Sequence, residues 1–141
     1  MGTFLFKTEP TEYSFADLVR EKTAEWSGVT NAAALIHLRS VKKGDEVLIY
    51  HTGDEKAIVG LARVVSVVRQ DSKKPGRTPA GEPKFAVVDV APVRAAKTPL
   101  TLGTMKSDAR FVKFLLVTHG RLSIMPVDPV VDRLIRDVTG L

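Results

Sequence analysis

The stretch KKGDEVLIYHTGDEKAIVGLARV, residues 42–64, decides how the rest of the chain is read. Lys42-Lys43-Gly44-Asp45 has the composition of a turn, and Glu46 to Thr52 then carries the branched and aromatic residues of a strand. Gly53-Asp54-Glu55-Lys56 supplies a second turn. Ala57 to Arg69, rich in valine, returns as the other strand of a hairpin. Alternation puts Val47, Ile49 and His51 on one face and Leu48, Tyr50 and Thr52 on the other, so Tyr50 and His51 can line one pocket only across a bulge.

Upstream, Phe4-Leu5-Phe6 reads as a short strand with Phe4 and Phe6 on one face, stopped by Glu9-Pro10-Thr11. Ser14 and Asp17 frame a capping box, with Asp in place of Glu, for a helix over about 15–21. Asn31 is the next N-cap, and Leu35, Leu38 and Val41 give the helix behind it one apolar stripe. Downstream, Lys73 to Lys84 mixes prolines and glycines with basic residues and reads as an exposed loop. Phe85 to Val90 reads as a strand, Pro99 to Leu102 as a short one, Thr104 to Arg110 as a short helix, and Ser123 to Val127 as extended chain. Asp128 and Pro129 then make an N-cap and a first-turn proline for a last helix over about 130–138. The pattern predicts a mixed α/β domain spanning 1–141, with a barrel-like or half-open sheet.

Composition narrows the chemistry. The chain has 141 residues, 44% of them apolar and 26% charged, and no cysteine. Disulfides and thiolate metal sites are thereby excluded. No apolar run approaches the ~20 residues that span a bilayer, and Met1 to Lys7 lacks a secretory pattern, so a cytoplasmic protein without membrane contact is expected. The three histidines, His37, His51 and His119, have no zinc-binding spacing, no GxSxG is present, and Gly53 to Gly60 lacks a P-loop ending. Glu9, Glu12, Asp54 and Glu55 read as solvated turn carboxylates. Neither an enzyme nor a cofactor is expected. A net charge of +5 favours a polyanionic partner.

Trp26 is the only tryptophan. It reads as a loop residue, followed closely by Gly28, where close approach of a ligand or backbone is possible. Two roles stay open for it, a core plug or a platform on which a flat ligand stacks. Asn31 likewise either caps its helix or reads a base edge.

The ordered segments FLFKTEPTEYSFADL at 4–18, WSGVTN at 26–31, KKGDEVLIYHTG at 42–53, IVGLARV at 58–64 and RLSIMPV at 121–127 together resemble the EVE domain, a family of the PUA-like superfamily. The resemblance covers nearly the whole chain. It implies a PUA-like pseudobarrel of strands flanked by helices, and looser kinship with the YTH domain, a reader of methylated adenine in RNA. It further implies a reader of a modified base in DNA or RNA, with Trp26 as a wall of the pocket. The family's motifs place Lys7, Thr8 and Ser14, then Trp26, Gly28 and Asn31, then Tyr50 and His51, then Arg121 and Ser123, at that site. Asn31 and Ser14 would bond the base edge.

One segment departs from the family pattern, which usually continues as GVRNYQARN. Thr30 stands in place of an arginine, Ala32 of a tyrosine, Ala33 of a glutamine, Leu35 of a second arginine and Ile36 of an asparagine. These are residue types that hold phosphates and base edges. The alternative reading is accordingly a small-molecule sensor or protein-interaction domain that kept the fold and lost the strand contacts. A monomer is expected in either case.

Overall fold

Seven strands, five α-helices and one 3-10 turn make up the protein, whose computed structural model describes residues Met1–Leu141. In chain order they are β1 (Thr3–Thr8), α1 (Phe15–Glu21), β2 (Ala24–Trp26), α2 (Ala32–Arg39), β3 (Glu46–His51), β4 (Ala57–Val64), β5 (Arg69–Gln70), β6 (Ala86–Thr101), α3 (Leu102–Lys106), the 3-10 turn (Ala109–Phe111), α4 (Leu115–Thr118), β7 (Ile124–Pro126) and α5 (Pro129–Thr139).

The sheet runs β2-β6-β4-β3-β1-β7, with β5 paired to β6. β1 is parallel to β3, Phe6 opposite Ile49, and antiparallel to β7, Phe6 opposite Ile124. The outermost strands β2 and β7 do not pair, and α2 packs against both β6 and β7. The sheet is thus a half-barrel completed by a helix, the mixed α/β pseudobarrel expected. Its interior is apolar, with Leu5, Phe6, Val47, Leu48, Ile58, Leu61, Val88 and Ile124 essentially inaccessible to solvent.

Local chemistry places the helices where the caps were read. Ser14 Oγ accepts the Asp17 N–H while the Asp17 carboxylate accepts the Ser14 N–H, a reciprocal box at the start of α1. Asn31 Oδ1 accepts the Ala34 N–H at 3.0 Å, and Asp128 Oδ1 the Val130 N–H at 2.9 Å. Arg39, closing α2, donates to the carbonyls of Pro83 and Lys84 and straps the basic loop onto the helix.

Several expectations are corrected. The hairpin's second strand ends at Val64, not Arg69, because the Val65 N–H turns to the Asp89 carbonyl before Arg69 and Gln70 re-pair with β6. The expected strands at 85–90 and 99–102 are one continuous β6, which Pro92 does not break because β4 slips register between Leu61 and Ala62 where that proline lies opposite. The helix expected at 104–110 divides into α3 and the 3-10 turn, each capped by its own side chain, Thr101 and Asp108. Trp26 is not a loop residue: it is the last residue of β2, opposite Val88.

A second slip in register, with Ile49 opposite Gly60 and Tyr50 opposite Ile58, leaves Val59 unpaired in β4. At this bulge the Phe15 ring covers Gly60, so closely that a Cβ there would lie 2.6 Å from it. Gly60→Ala is expected to cost ~1–3 kcal/mol by overpacking, read as a lowered denaturation midpoint at unchanged m. The cap of α1 has a pH signature. Bonds from the Ser14 N–H and from Arg20 hold the Asp17 carboxyl below its usual range. A depressed carboxyl stabilises above the unfolded-state pKa, about 3.9, and loses that contribution as pH falls through the folded value. The stability gap between the protein and Asp17→Ala should therefore be level near neutrality and close only in acid, as followed by thermal melts across pH.

Candidate functional site

The largest opening in the surface lies where β1, β2 and the segment ahead of α2 meet, a cavity of about 710 Å³. Six of the expected site residues line it: Lys7, Thr8, Trp26, Gly28, Asn31 and Ser123. Four do not. Ser14 is held in the α1 capping box, and Tyr50 is buried in β3, 3% exposed, with the Lys7 ammonium 5.7 Å from its ring centre. Arg121 is exposed and borders a neighbouring cavity of about 610 Å³, together with Asn31, His37 and His119.

His51 is structural. Its Nε2 accepts the Phe15 N–H at 3.0 Å and its Nδ1 contacts Glu55 Oε1 at 2.8 Å. An accepting Nε2 fixes the proton on Nδ1, so the neutral imidazole bridges the start of α1 to the hairpin turn. The bulge that would let Tyr50 and His51 share a face falls in β4 instead, and neither residue reaches the cavity.

Trp26 is mostly a plug. It is only 8% exposed, with its ring centre 5.4 Å from Phe6 of β1 and 6.4 Å from Tyr13, whose ring stands edge-on at 84°. What reaches the cavity is an edge, not an open face. Its indole N–H has no hydrogen-bond partner and yet is not sealed from solvent. Gly28 is required by its backbone, at φ +78°, and not by close packing, since nothing lies within 4 Å of where its Cβ would be. Asn31 spends its Oδ1 on the α2 cap and is itself exposed, which leaves its NH2 for a ligand.

The cavity also contains residues whose role was not anticipated. Tyr13 forms a second aromatic wall, fixed by its phenol donating to Glu21 Oε1 at 2.7 Å. Burial and that carboxylate push the phenol's pKa well up, so the tyrosine stays protonated. Glu9, Glu12, Glu21 and Glu25 line the cavity as well. A lone aromatic in the polar run Glu9 to Ser14 was the available signal for Tyr13. Nothing in the spacing of the four carboxylates announces that they converge. Lys7 donates to the Gly120 carbonyl at 2.8 Å, and its burial lowers the ammonium's pKa. Ser123 completes the wall, its carbonyl accepting the Lys7 N–H. No three of the His, Asp and Glu side chains converge in a metal-binding group, and no helix is long and apolar enough to cross a membrane.

Comparison with known proteins places this geometry. A family model described as EVE domain matches residues 3–138. Human thymocyte nuclear protein 1 is 31% identical over 152 residues, which cover 88% of this chain and 68% of the relative. A solved structure from Rhodopseudomonas palustris superposes with a TM-score of 0.89 at 30% identity, covering 99% of this chain and 94% of that one. The human THYN1 protein, in complex with DNA containing 5-methylcytosine, superposes with a TM-score of 0.88 at 26% identity, covering 100% and 99% of the two chains.

The assignment of His51 is open to test. His51→Leu leaves the buried Phe15 N–H without an acceptor, which is expected to cost ~1–3 kcal/mol in denaturant unfolding. The same variant should bind any cavity ligand as the unaltered protein does.

Proposed function

The chain belongs to the EVE domain family, and on that premise we propose that it is a non-enzymatic domain that reads a modified base in a nucleic acid through the cavity beside Trp26. The observation that carries this reading is the cavity itself, which has two aromatic walls and the free amide of Asn31. It occupies a fold shared, over the full length, with a relative whose crystal structure contains 5-methylcytosine DNA. Its volume is in the range of small-molecule pockets, ~300–1,000 Å³, and far below what a duplex needs. The base therefore enters unpaired, as a single strand or flipped from a helix at a cost of a few kcal/mol.

Each wall has a role in this reading. The Trp26 edge and the Tyr13 ring confine the base plane, and Asn31 donates to the base edge while its Oδ1 keeps the helix capped. Thr8, Gly28 and Ser123 close the remaining sides. The strand's phosphates run past the neighbouring cavity, where Arg121, His37 and His119 stand without a carboxylate among them. Arg121 has no ion-pair partner within the protein, so its guanidinium is available to a phosphate.

A second reading, a small-molecule or protein-interaction domain, draws on the exposed Ala32, Ala33 and Ile36 along α2. Salt separates the two. A gripped strand loses affinity steeply as salt rises, because each neutralised phosphate releases counterions.

Trp26 is its own probe. Short single- and double-stranded DNA and RNA with normal or methylated bases, titrated at low and moderate salt, should quench its fluorescence saturably for one modified base and less as salt rises. Silence from the whole panel, with the protein shown to be folded, overturns the reading. Asn31→Ser keeps a cap of equal rank but removes the amide. It should leave the melting temperature in place and weaken binding roughly tenfold or more, as the loss of a ~1–3 kcal/mol base contact implies.

A further inference from the structure

The cavity has the opposite sign to the protein around it. The chain carries a net charge of +5, yet four carboxylates, Glu9, Glu12, Glu21 and Glu25, face one ammonium, Lys7, across its lining. The ammonium is held by the Gly120 carbonyl, which lies outside the cavity. Three of the carboxylates are fixed in place. Glu9 accepts from Thr11 and Thr52, Glu21 accepts the Tyr13 phenol, and Glu25 is paired at 2.7 Å with Arg69, which also holds Asp89. The Glu12 carboxylate has no hydrogen-bond or ion-pair partner in the protein.

The second observation is independent of charge. Trp26 is nine-tenths buried, but its indole N–H remains unpartnered beside the cavity. No buried side-chain polar atom lacks a partner, so this N–H is open to solvent. It offers a single donor to whatever enters. At right angles to it stands Tyr13, and aromatic faces carry the negative side of a quadrupole, which attracts cations.

Resting on the reading that the cavity takes a base, we propose that it selects a cationic base, one alkylated on a ring nitrogen so that the ring is positively charged at neutral pH. The Tyr13 ring and an excess of carboxylates favour a delocalised ring cation by cation–π attraction and by charge-assisted hydrogen bonds from its exocyclic amine. A remaining acceptor on the ring or sugar takes the Trp26 N–H. A neutral base methylated on carbon gains only the methyl contact. The same carboxylates repel phosphate, so the ring goes in and the backbone stays out, toward Arg121.

Isomers isolate charge from shape. 1-Methyladenosine is cationic and N6-methyladenosine neutral at equal mass; 3-methylcytidine and 5-methylcytidine form a second such pair. Each is presented at pH 7 as the free nucleoside and at the centre of a five-nucleotide strand, with Trp26 fluorescence as the readout. The cationic isomer of at least one pair should bind tenfold or more tightly than its neutral twin. That ratio should fall toward one in Glu12→Gln/Glu21→Gln, in which the glutamine at 21 still accepts the Tyr13 phenol. Equal binding, or preference for the neutral isomers, overturns this inference and leaves the base-reading function standing. A cation preference unchanged in the double variant overturns the role given to the carboxylates. Silence from every nucleoside and every strand, with the protein folded, removes both.

Discussion

Trp26 against Phe6 is the contact on which the rest of the architecture depends. Trp26 ends β2 at one edge of the sheet, Phe6 lies in β1, and β6, β4 and β3 intervene along the hydrogen-bonded path. A contact of 5.4 Å between two such strands must cross the interior, so it sets how far the sheet curls. A tryptophan buries ~150–250 Å² and is among the few side chains long enough to span that gap. In the proposed reading, recognition is built on the same residue. The edge that borders the cavity is held still by the core behind it, which spares a ligand the cost of ordering its own wall.

Charge is sorted over short distances. The cavity collects glutamates from the β1–α1 connection, the end of α1 and β2, while the adjoining groove holds Arg121 and two histidines. Asn31 lines both. Such an arrangement suits a ligand that is itself divided, a ring at one end and a phosphodiester at the other. In the proposed reading the overall positive charge governs encounter, and the local negative charge governs what is admitted.

The parts of the fold governed by local rules were legible. Ser14, Asn31 and Asp128 start helices because a short polar side chain satisfies the free N–H groups there, and β3 is marked by turns on both sides. The continuous β6 was hidden because the residues around Pro92 carry no strand pattern, and only the slip in register that leaves Val93 of β6 without a partner shows how the proline is accommodated. At the site, six of the ten residues taken from the family motifs line one cavity. Ser14, Tyr50, His51 and Arg121 lie outside it, Ser14 and His51 being engaged at the start of α1, which no motif spacing reveals. The glutamates and Tyr13 could not be grouped from sequence, since Glu9 and Glu25 meet only once β1 and β2 close around the interior.

The order of the strands also has a temporal side. β1 is made before either strand that it pairs with, since its two neighbours are β3, beginning at Glu46, and β7, ending at Pro126. Thr3 is finally tied to Asp132 of the last helix. The apolar Phe4-Leu5-Phe6 segment thus keeps one edge open until β3 is made and the other until β7 is made. Topologies dominated by such distant pairings fold in about milliseconds to seconds, not microseconds. Until those partners arrive, such an apolar strand is the part of the chain most open to wrong pairing.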